Sequence, residues 1–145
     1  MVKTLGVCVF VLGATVLAAS TEPVKASSEP VYNPATVVDV DGTIAAVKQV
    51  PAGSALEGVH LTVKTKAGSL DVYLGPADFL RIFRTNFLVG AEVEVVGSKA
   101  KFQGSDVILT RDVAIGQATI TLRDPNGAPE WKNWGVEIDP SSVKY

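Results

Sequence analysis

Residues 36–50 constrain the possible folds of this chain more than any other segment. They are rich in Val and Ile, which favour strands, and Gly42 interrupts them near the middle. The segment is longer than an average strand of about five or six residues, and a glycine inside a strand permits a bulge or a sharp bend. We therefore predict one long, strongly curved strand. Two separate strands of a sandwich are the alternative.

The next two segments alternate between apolar and polar residues with the period of two that half-buried strands show. Their apolar positions are Val59, Leu61 and Val63 in the first segment and Leu70, Val72 and Leu74 in the second. Residues 66–69, Lys-Ala-Gly-Ser, separate them and predict a hairpin turn. Pairing the two ends of this turn places Leu61 opposite Leu74, with the apolar residues of both strands on one core face.

A short helix is predicted after the hairpin. Pro76 is a residue type favoured at the first helical position, and Asp78 suits the positive end of the helix dipole. An apolar stripe extends the helix to two or three turns and consists of Phe79, Leu80, Ile82 and Phe83. Three further strands are predicted at residues 92–96, 107–115 and 118–123, and Gly97 is expected to end the first of them.

The resulting order is three strands, a short helix, two strands and one appended strand. A long first strand bent at a glycine, with a helix between strands three and four, is the pattern of a five-stranded Greek-key barrel, the oligonucleotide/oligosaccharide-binding (OB) fold. Residues 88–97 also resemble the fourth strand of that fold. We therefore predict an all-β chain: an OB-fold barrel with one short helix between strands 3 and 4 and an appended C-terminal strand.

Residues 36–115 resemble the small exported bacterial OB-fold proteins of unknown function. A second stretch, residues 122–131, resembles a closing segment of such proteins, of the form Leu-Arg-Asp-x-x-Gly-x-Pro-x-Trp. The resemblance attaches no established chemistry to the closing segment.

The N-terminus has the pattern of a secretory signal peptide. Lys3 supplies a positive charge, and residues 5–19 form an uninterrupted run of apolar or small residues, shorter than the roughly 20 residues that a spanning helix needs. Cleavage after Ser20 and cleavage after Ala26 both fit, and Pro23 favours the second. We expect a periplasmic or secreted protein with no membrane span after cleavage; a retained N-terminal anchor is the alternative.

These observations divide the chain into four parts. Residues 1–26 are the predicted signal peptide and residues 27–34 a flexible leader. Residues 35–124 form the barrel domain with its appended strand, and residues 125–145 form a C-terminal tail. The single cysteine, Cys8, lies within the signal, so the mature chain has neither a disulfide nor a thiolate metal site.

The predicted ligand-binding surface is the outer face of strands two and three, where OB folds bind their ligands. That face carries the polar residues of both alternating segments: His60, Thr62, Lys64, Asp71 and Tyr73. His60 is the only histidine, so no multi-histidine metal site is available. A plain solvated strand surface is the competing interpretation.

Arg111 is a further candidate for ligand binding. It shares strand parity with Val107 and Leu109, so it is either buried and paired or turned outward by a bulge. Asp39, Asp41 and Asp112 are the possible partners in a structural ion pair; an anion site is the alternative.

The predicted partner-binding residues lie at and after the sixth strand and are Arg123, Trp131 and Trp134. The two tryptophans either pack back over an open end of the barrel or form a docking surface. Arg123, together with Asp124, has the alternative role of capping the turn at Asn126 and Gly127.

Charge and motifs disfavour several functions. With 13 Lys and Arg against 15 Asp and Glu, the chain lacks the positive charge that drives nucleic-acid binding. It contains no nucleophile elbow, zinc-protease helix or phosphate loop, and we predict no metal and no cofactor. The primary hypothesis is a non-catalytic exported module that binds a small molecule, peptide or protein. The alternatives are an accessory subunit of an envelope complex that docks through its tail and, less favoured, a single-strand nucleic-acid binder.

Overall fold

The computed structural model describes residues 29–133, so the predicted signal peptide and Trp134 lie outside the described residues. None of the helices in this range has the length and apolarity needed to span a bilayer. Short 3-10 turns lie at Pro34–Thr36 and Glu130–Asn133. The other elements are β1 (Val37–Val50), β2 (Gly58–Thr65), β3 (Gly68–Gly75), α1 (Ala77–Arg81), β4 (Glu92–Phe102), β5 (Ser105–Ile115) and β6 (Ala118–Thr121).

The first five strands form a closed barrel. Neighbouring strands hydrogen-bond in the order β3-β2-β1-β4-β5-β6, and a parallel pairing of β3 with β5, from Asp71↔Val107 to Tyr73↔Leu109, closes the ring. Strand β6 pairs with β5 outside the ring. The predicted fold class, including the helix between β3 and β4 and the appended strand, is confirmed.

Strand β1 is one continuous strand that pairs with two neighbours. Its first half pairs with β4 and its second half with β2, and Thr43 takes part in both pairings. Gly42 lies beside this crossing, where an added Cβ would approach the Lys64 carbonyl oxygen to 2.5 Å. The register shift that accompanies the bend falls between Ile44 and Ala46. The prediction of one long curved strand is confirmed, and the sandwich alternative is excluded.

The β2–β3 hairpin forms, but the predicted register was wrong by two residues. Leu61 pairs with Val72 rather than Leu74, and Thr65 pairs with Gly68, which leaves a two-residue turn. The Thr65 hydroxyl donates to the Gly68 carbonyl and accepts from the Ala67 amide, which stabilises this tighter turn. Because side chains alternate with a period of two, the shift leaves every residue on its predicted face.

Helix α1 is shorter than predicted. It ends at Arg81, and Arg84 adopts a φ of 50°, so the chain leaves the helical conformation before a third turn. Phe79 and Leu80 are buried as expected, but Ile82 is 51% exposed, contrary to its placement in the apolar stripe.

Gly97 does not end its strand, contrary to prediction. Strand β4 continues to Phe102, and the register with β5 shifts at this point, where Val96 pairs with Asp112 and Gly97 with Thr110. A Cβ on Gly97 would approach the Leu109 carbonyl oxygen to 2.4 Å. The glycine therefore permits close contact of the two strands at a bulge.

Two apolar clusters stabilise the molecule. One fills the barrel and includes Ile44, Leu61, Val95 and Ile108, all at most 1% exposed. The other lies on the outer side of β3 and β5 and consists of Leu56, Tyr73, Val107 and Leu109, covered in part by Tyr32, Phe102 and Trp131. This outer cluster covers one end of the predicted binding face and leaves the other end open.

Candidate functional site

A cleft of about 1060 Å³ crosses β2 and β3 between the β1–β2 loop and the β4–β5 turn. We call it the β2/β3 cleft. Its lining includes the polar residues Lys48, His60, Thr62, Asp71, Lys101 and Asp106. It lies on the face and between the loops that OB folds use for binding, where the sequence placed the ligand site.

His60 is the most constrained polar residue of this cleft. It is only 6% exposed, and its two ring nitrogens contact different groups. Nδ1 lies 3.1 and 3.2 Å from the carboxylate oxygens of Asp71, and Nε2 lies 2.8 Å from the Leu56 carbonyl oxygen. A carboxylate and a carbonyl only accept hydrogen bonds, so both contacts are satisfied at once when both ring nitrogens carry a proton, which is the imidazolium form.

The surroundings of His60 agree with a charged ring. Burial favours the neutral form, but the hydrogen bonds to Asp71 and the Leu56 carbonyl outweigh it and raise the pKa of His60 above 6.5, although Lys48 opposes them. The protonated ring joins β2, β3 and the β1–β2 loop. Its contribution to stability is therefore complete below pH 6.5 and is lost as the pH rises through the raised pKa.

We expect the free energy of unfolding to fall across that pH interval and His60→Gln to abolish the fall. His60 is the only histidine of the chain, so the effect has a single source. Denaturant unfolding at a series of pH values measures it. Asp71→Asn is the matched variant: it keeps the Leu56 contact, lowers the pKa of His60 and moves the decline to lower pH. Identical pH dependence in wild type and His60→Gln would contradict the assignment.

Tyr73 shares the predicted face but is only 5% exposed. Its ring lies 5.0 Å from that of His60 and 6.3 Å from that of Trp131, and its hydroxyl donates to the Glu57 carbonyl at 2.9 Å. Burial raises the pKa of Tyr73 to about 12. Tyr73 is buried because the outer apolar cluster covers this end of the face, and its predicted role in ligand binding stays a prediction.

The other predicted residues of the face divide between two surfaces. Thr62 and Asp71 line the β2/β3 cleft with His60, whereas exposed Lys64 lines a different depression near Gly42 and Glu92. The structure thus brings His60, Thr62 and Asp71 together in the cleft, which neither Lys64 nor Tyr73 lines, although the Tyr73 ring lies directly beside His60.

Arg111 lies apart from the β2/β3 cleft. The β4–β5 bulge turns it outward, and its Nε donates to Asp112 at 2.7 Å, which raises the pKa of the guanidinium. Its side chain is 29% exposed. Of the alternatives that the sequence left open, the outward bulge and the pairing with Asp112 are the ones observed.

Arg123 and Trp131 pack against the barrel. Arg123 is 7% exposed, and its guanidinium carbon lies 4.6 Å from the Trp131 ring centroid. Trp131 also contacts Phe79, at a centroid distance of 5.7 Å, so its ring covers the barrel rather than forming an open docking surface. Arg123 Nη1 donates to the Gly127 carbonyl, and Asp124 accepts from two amides of the same turn. Their predicted role in partner binding stays a prediction.

Sequence reasoning missed the cationic rim of the cleft. Lys48 comes from β1 and Lys101 from β4, and Lys101 Nζ lies 2.6 Å from Asp106. That ion pair lowers the pKa of Asp106, with Lys99 as a second partner at 3.4 Å. The sequence signal that could have revealed Lys101 is Gly104, which predicts a turn after residue 102. That turn indicates that β4 continues past Gly97 and carries Lys101.

The family comparison is informative once this geometry is known. Residues 36–120 match the model of the MamS/MamX magnetosome protein family, which covers more than half of the chain. The chain belongs to the MamS/MamX magnetosome protein family. No curated protein matches it with significant similarity.

The family match spans the entire barrel and every cleft residue named above. It ends at residue 120, before Arg123 and Trp131. The description names a magnetosome protein and no enzymatic activity. The β2/β3 cleft is therefore the candidate site that lies within the part of the chain shared with the family.

Proposed function

We propose that this chain is a non-catalytic accessory component of the magnetosome that binds a small molecule or a protein segment in the β2/β3 cleft. The observation that carries the proposal is the position of the cleft, open on the OB-fold binding face and bounded by the β1–β2 loop and the β4–β5 turn. Its lining is mixed and carries ammonium groups at Lys48 and Lys101 and carboxylates at Asp71 and Asp106.

The hydrogen bonding of His60 supports a non-catalytic role. A general base needs a ring nitrogen with a free lone pair, and both nitrogens of His60 donate to protein acceptors. The imidazolium instead holds the loop at the rim of the cleft. The residue that would be the first candidate for acid–base chemistry thus shapes a binding surface.

We further propose that the chain acts outside the cytoplasm. Support comes from residues 1–26, whose charged start and short apolar run are typical of a signal peptide. The N-terminal sequence of the protein recovered from cells tests this proposal: a start at Thr21 or Ser27 supports it, and an uncleaved Met1 in a cytoplasmic fraction contradicts it.

A complementation experiment tests the binding function. In a magnetosome-forming strain without its own copy, Lys48→Glu with Lys101→Glu should fail to restore the cellular magnetic response that wild type restores. Both lysines are solvent-exposed and the ion pair of Lys101 with Asp106 is on the surface, so we expect the reversed chain to fold.

The matched control makes the same change of charge elsewhere. Lys66 lies in the hairpin turn and Lys132 in the last 3-10 turn, and both are exposed and outside the cleft. Lys66→Glu with Lys132→Glu should restore the response. Full restoration by the cleft variant, at equal protein level, would refute the cleft as the functional surface.

A further inference from the structure

A second cavity, of about 440 Å³, lies where segments on both sides of the family-matched residues pack against the barrel wall. We call it the Arg123 cavity. Its walls come from the N-terminal segment, the β1–β2 loop, strands β3 and β5 and the last 3-10 turn, and they include Glu29, Tyr32, Leu56, Tyr73, Arg123 and Trp131. Its volume falls within the range of small-molecule sites, roughly 300–1,000 Å³.

Arg123 is a buried cation that forms no ion pair with a carboxylate of the described residues. Its Nη1 makes one long hydrogen bond, 3.4 Å to the Gly127 carbonyl, and its buried Nε makes none. It takes part in none of the ion pairs formed within residues 29–133. Burial lowers the pKa of this guanidinium, which is the sign of an incompletely compensated charge.

Aromatic rings orient the guanidinium. Trp131 lies 4.6 Å and Tyr73 5.8 Å from its central carbon, so cation–π contacts hold the group in place. The Arg111 carbonyl accepts hydrogen bonds from the backbone amides of Leu122 and Arg123, which connects this segment to the β5 bulge. The donors of the guanidinium plane are therefore preorganised at the cavity wall.

A second donor lines the same cavity. The Tyr32 hydroxyl is buried and forms no hydrogen bond of full geometry within the described residues. It lies close enough to Arg111 to raise the pKa of that guanidinium. Tyr73 contributes no free donor because its hydroxyl already donates to Glu57. Arg123 and Tyr32 thus place donors on one wall of the cavity, and neither forms an ion pair with the carboxylates of Glu29 and Glu57 that also line it.

We infer that the Arg123 cavity is a binding site for a small organic carboxylate. A planar carboxylate matches the two parallel N–H donors of one guanidinium. A phosphate dianion is disfavoured because Glu29 and Glu57 also line the cavity. Leu56, Leu109 and Trp131 offer apolar surface to the hydrocarbon part of the ligand. The inference is independent of the proposed cleft function, since Arg123 does not line the cleft.

The test titrates the full chain with sodium benzoate, its uncharged analogue benzamide and sodium phosphate, and follows the indole signal of Trp131 by NMR. Benzoate is expected to bind saturably and to shift that signal, and benzamide and phosphate to bind at least about tenfold more weakly. Equal binding of benzoate and benzamide would overturn the inference, because recognition would then not involve the charge.

Variants assign the binding to Arg123. Arg123→Lys keeps the charge but loses the planar fork, and Arg123→Met removes both; each should weaken benzoate at least about tenfold. Arg81→Met, an exposed arginine outside this cavity, is the matched control and should leave affinity unchanged. If Arg123→Met does not fold, Arg123→Lys and the benzamide comparison still decide the matter. Unchanged affinity in a folded Arg123 variant would overturn the site.

Glu29 provides a further check. It accepts a hydrogen bond from the Leu56 amide at 3.2 Å. Its charge opposes the burial that lowers the pKa of Arg123. If an external carboxylate is the ligand, Glu29→Gln removes the repulsion between the two carboxylates and increases the affinity for benzoate. Weaker benzoate binding in Glu29→Gln would contradict the inference, since Glu29 would then be assisting the site rather than competing with the ligand.

Discussion

Replacing Gly58 with alanine is expected to lower the free energy of unfolding by about 3 kcal/mol or more. Gly58 adopts a φ of 125°, which residues with a side chain rarely adopt, at a cost of about 1–3 kcal/mol. An added Cβ would also lie 2.1 Å from the Gly75 carbonyl oxygen and 3.0 Å from the Pro76 Cα. Both atoms are backbone, so relief requires movement of β3 against β2, at a further cost of about 1–3 kcal/mol.

Gly68 is the matched control. Its φ of 127° is almost the same, but an added Cβ would have no atom within 4 Å. Gly68→Ala should therefore show the conformational cost without the clash. The difference between the two losses in the free energy of unfolding is the cost of the close approach of β2 to β3. Chemical denaturation gives both values. Equal destabilisation of the two variants would show that the approach at Gly58 contributes nothing.

Leu61→Ala is expected to cost about 2–5 kcal/mol, a large part of the stability of a domain this size. Leu61 is fully buried in the barrel, and its two strand partners are Val47 and Val72. Truncation removes apolar contacts and leaves a cavity. The surrounding strands cannot easily move in to fill it, because hydrogen bonds to β1 and β3 hold β2 in place.

Val47→Ala is the companion variant for Leu61→Ala. Val47 pairs directly with Leu61 but is 42% exposed, so its truncation should cost less than about 1 kcal/mol. Thermal and denaturant unfolding of both variants check the contrast. A Leu61→Ala protein as stable as Val47→Ala would mean that the barrel interior is not the main apolar core.

The hairpin illustrates what could be predicted locally. Alternation with a period of two placed Leu61 and Val72 on the core face and His60 on the other, and the structure confirms those faces. The register was missed by two residues because a shift of two preserves every face, so the apolar pattern cannot distinguish the two pairings. The choice depends on the turn, where the Thr65 hydroxyl bonds to Gly68 and Ala67.

Burial of the candidate site could not be predicted in this way. The sequence identified His60 and Tyr73 as outward-facing, but Leu56 and Trp131 cover that end of the face. The covering residues come from the β1–β2 loop and the segment after β6, whose paths over the barrel have no periodic signal. Lys48 and Lys101 were missed for a related reason, since they meet at the cleft only after β1 and β4 curve into the barrel.

The sequence by itself determined the order of the strands, the core faces of β2 and β3, the position of the helix and the bend of β1, because alternation and glycine placement act over a few neighbouring residues. Tertiary structure decided which outward residues became buried, which charges met in the cleft and that Arg123 lies between Tyr73 and Trp131. Those outcomes depend on contacts between residues far apart in the chain, and such contacts exist only once the barrel has closed and its two flanking segments have packed against it.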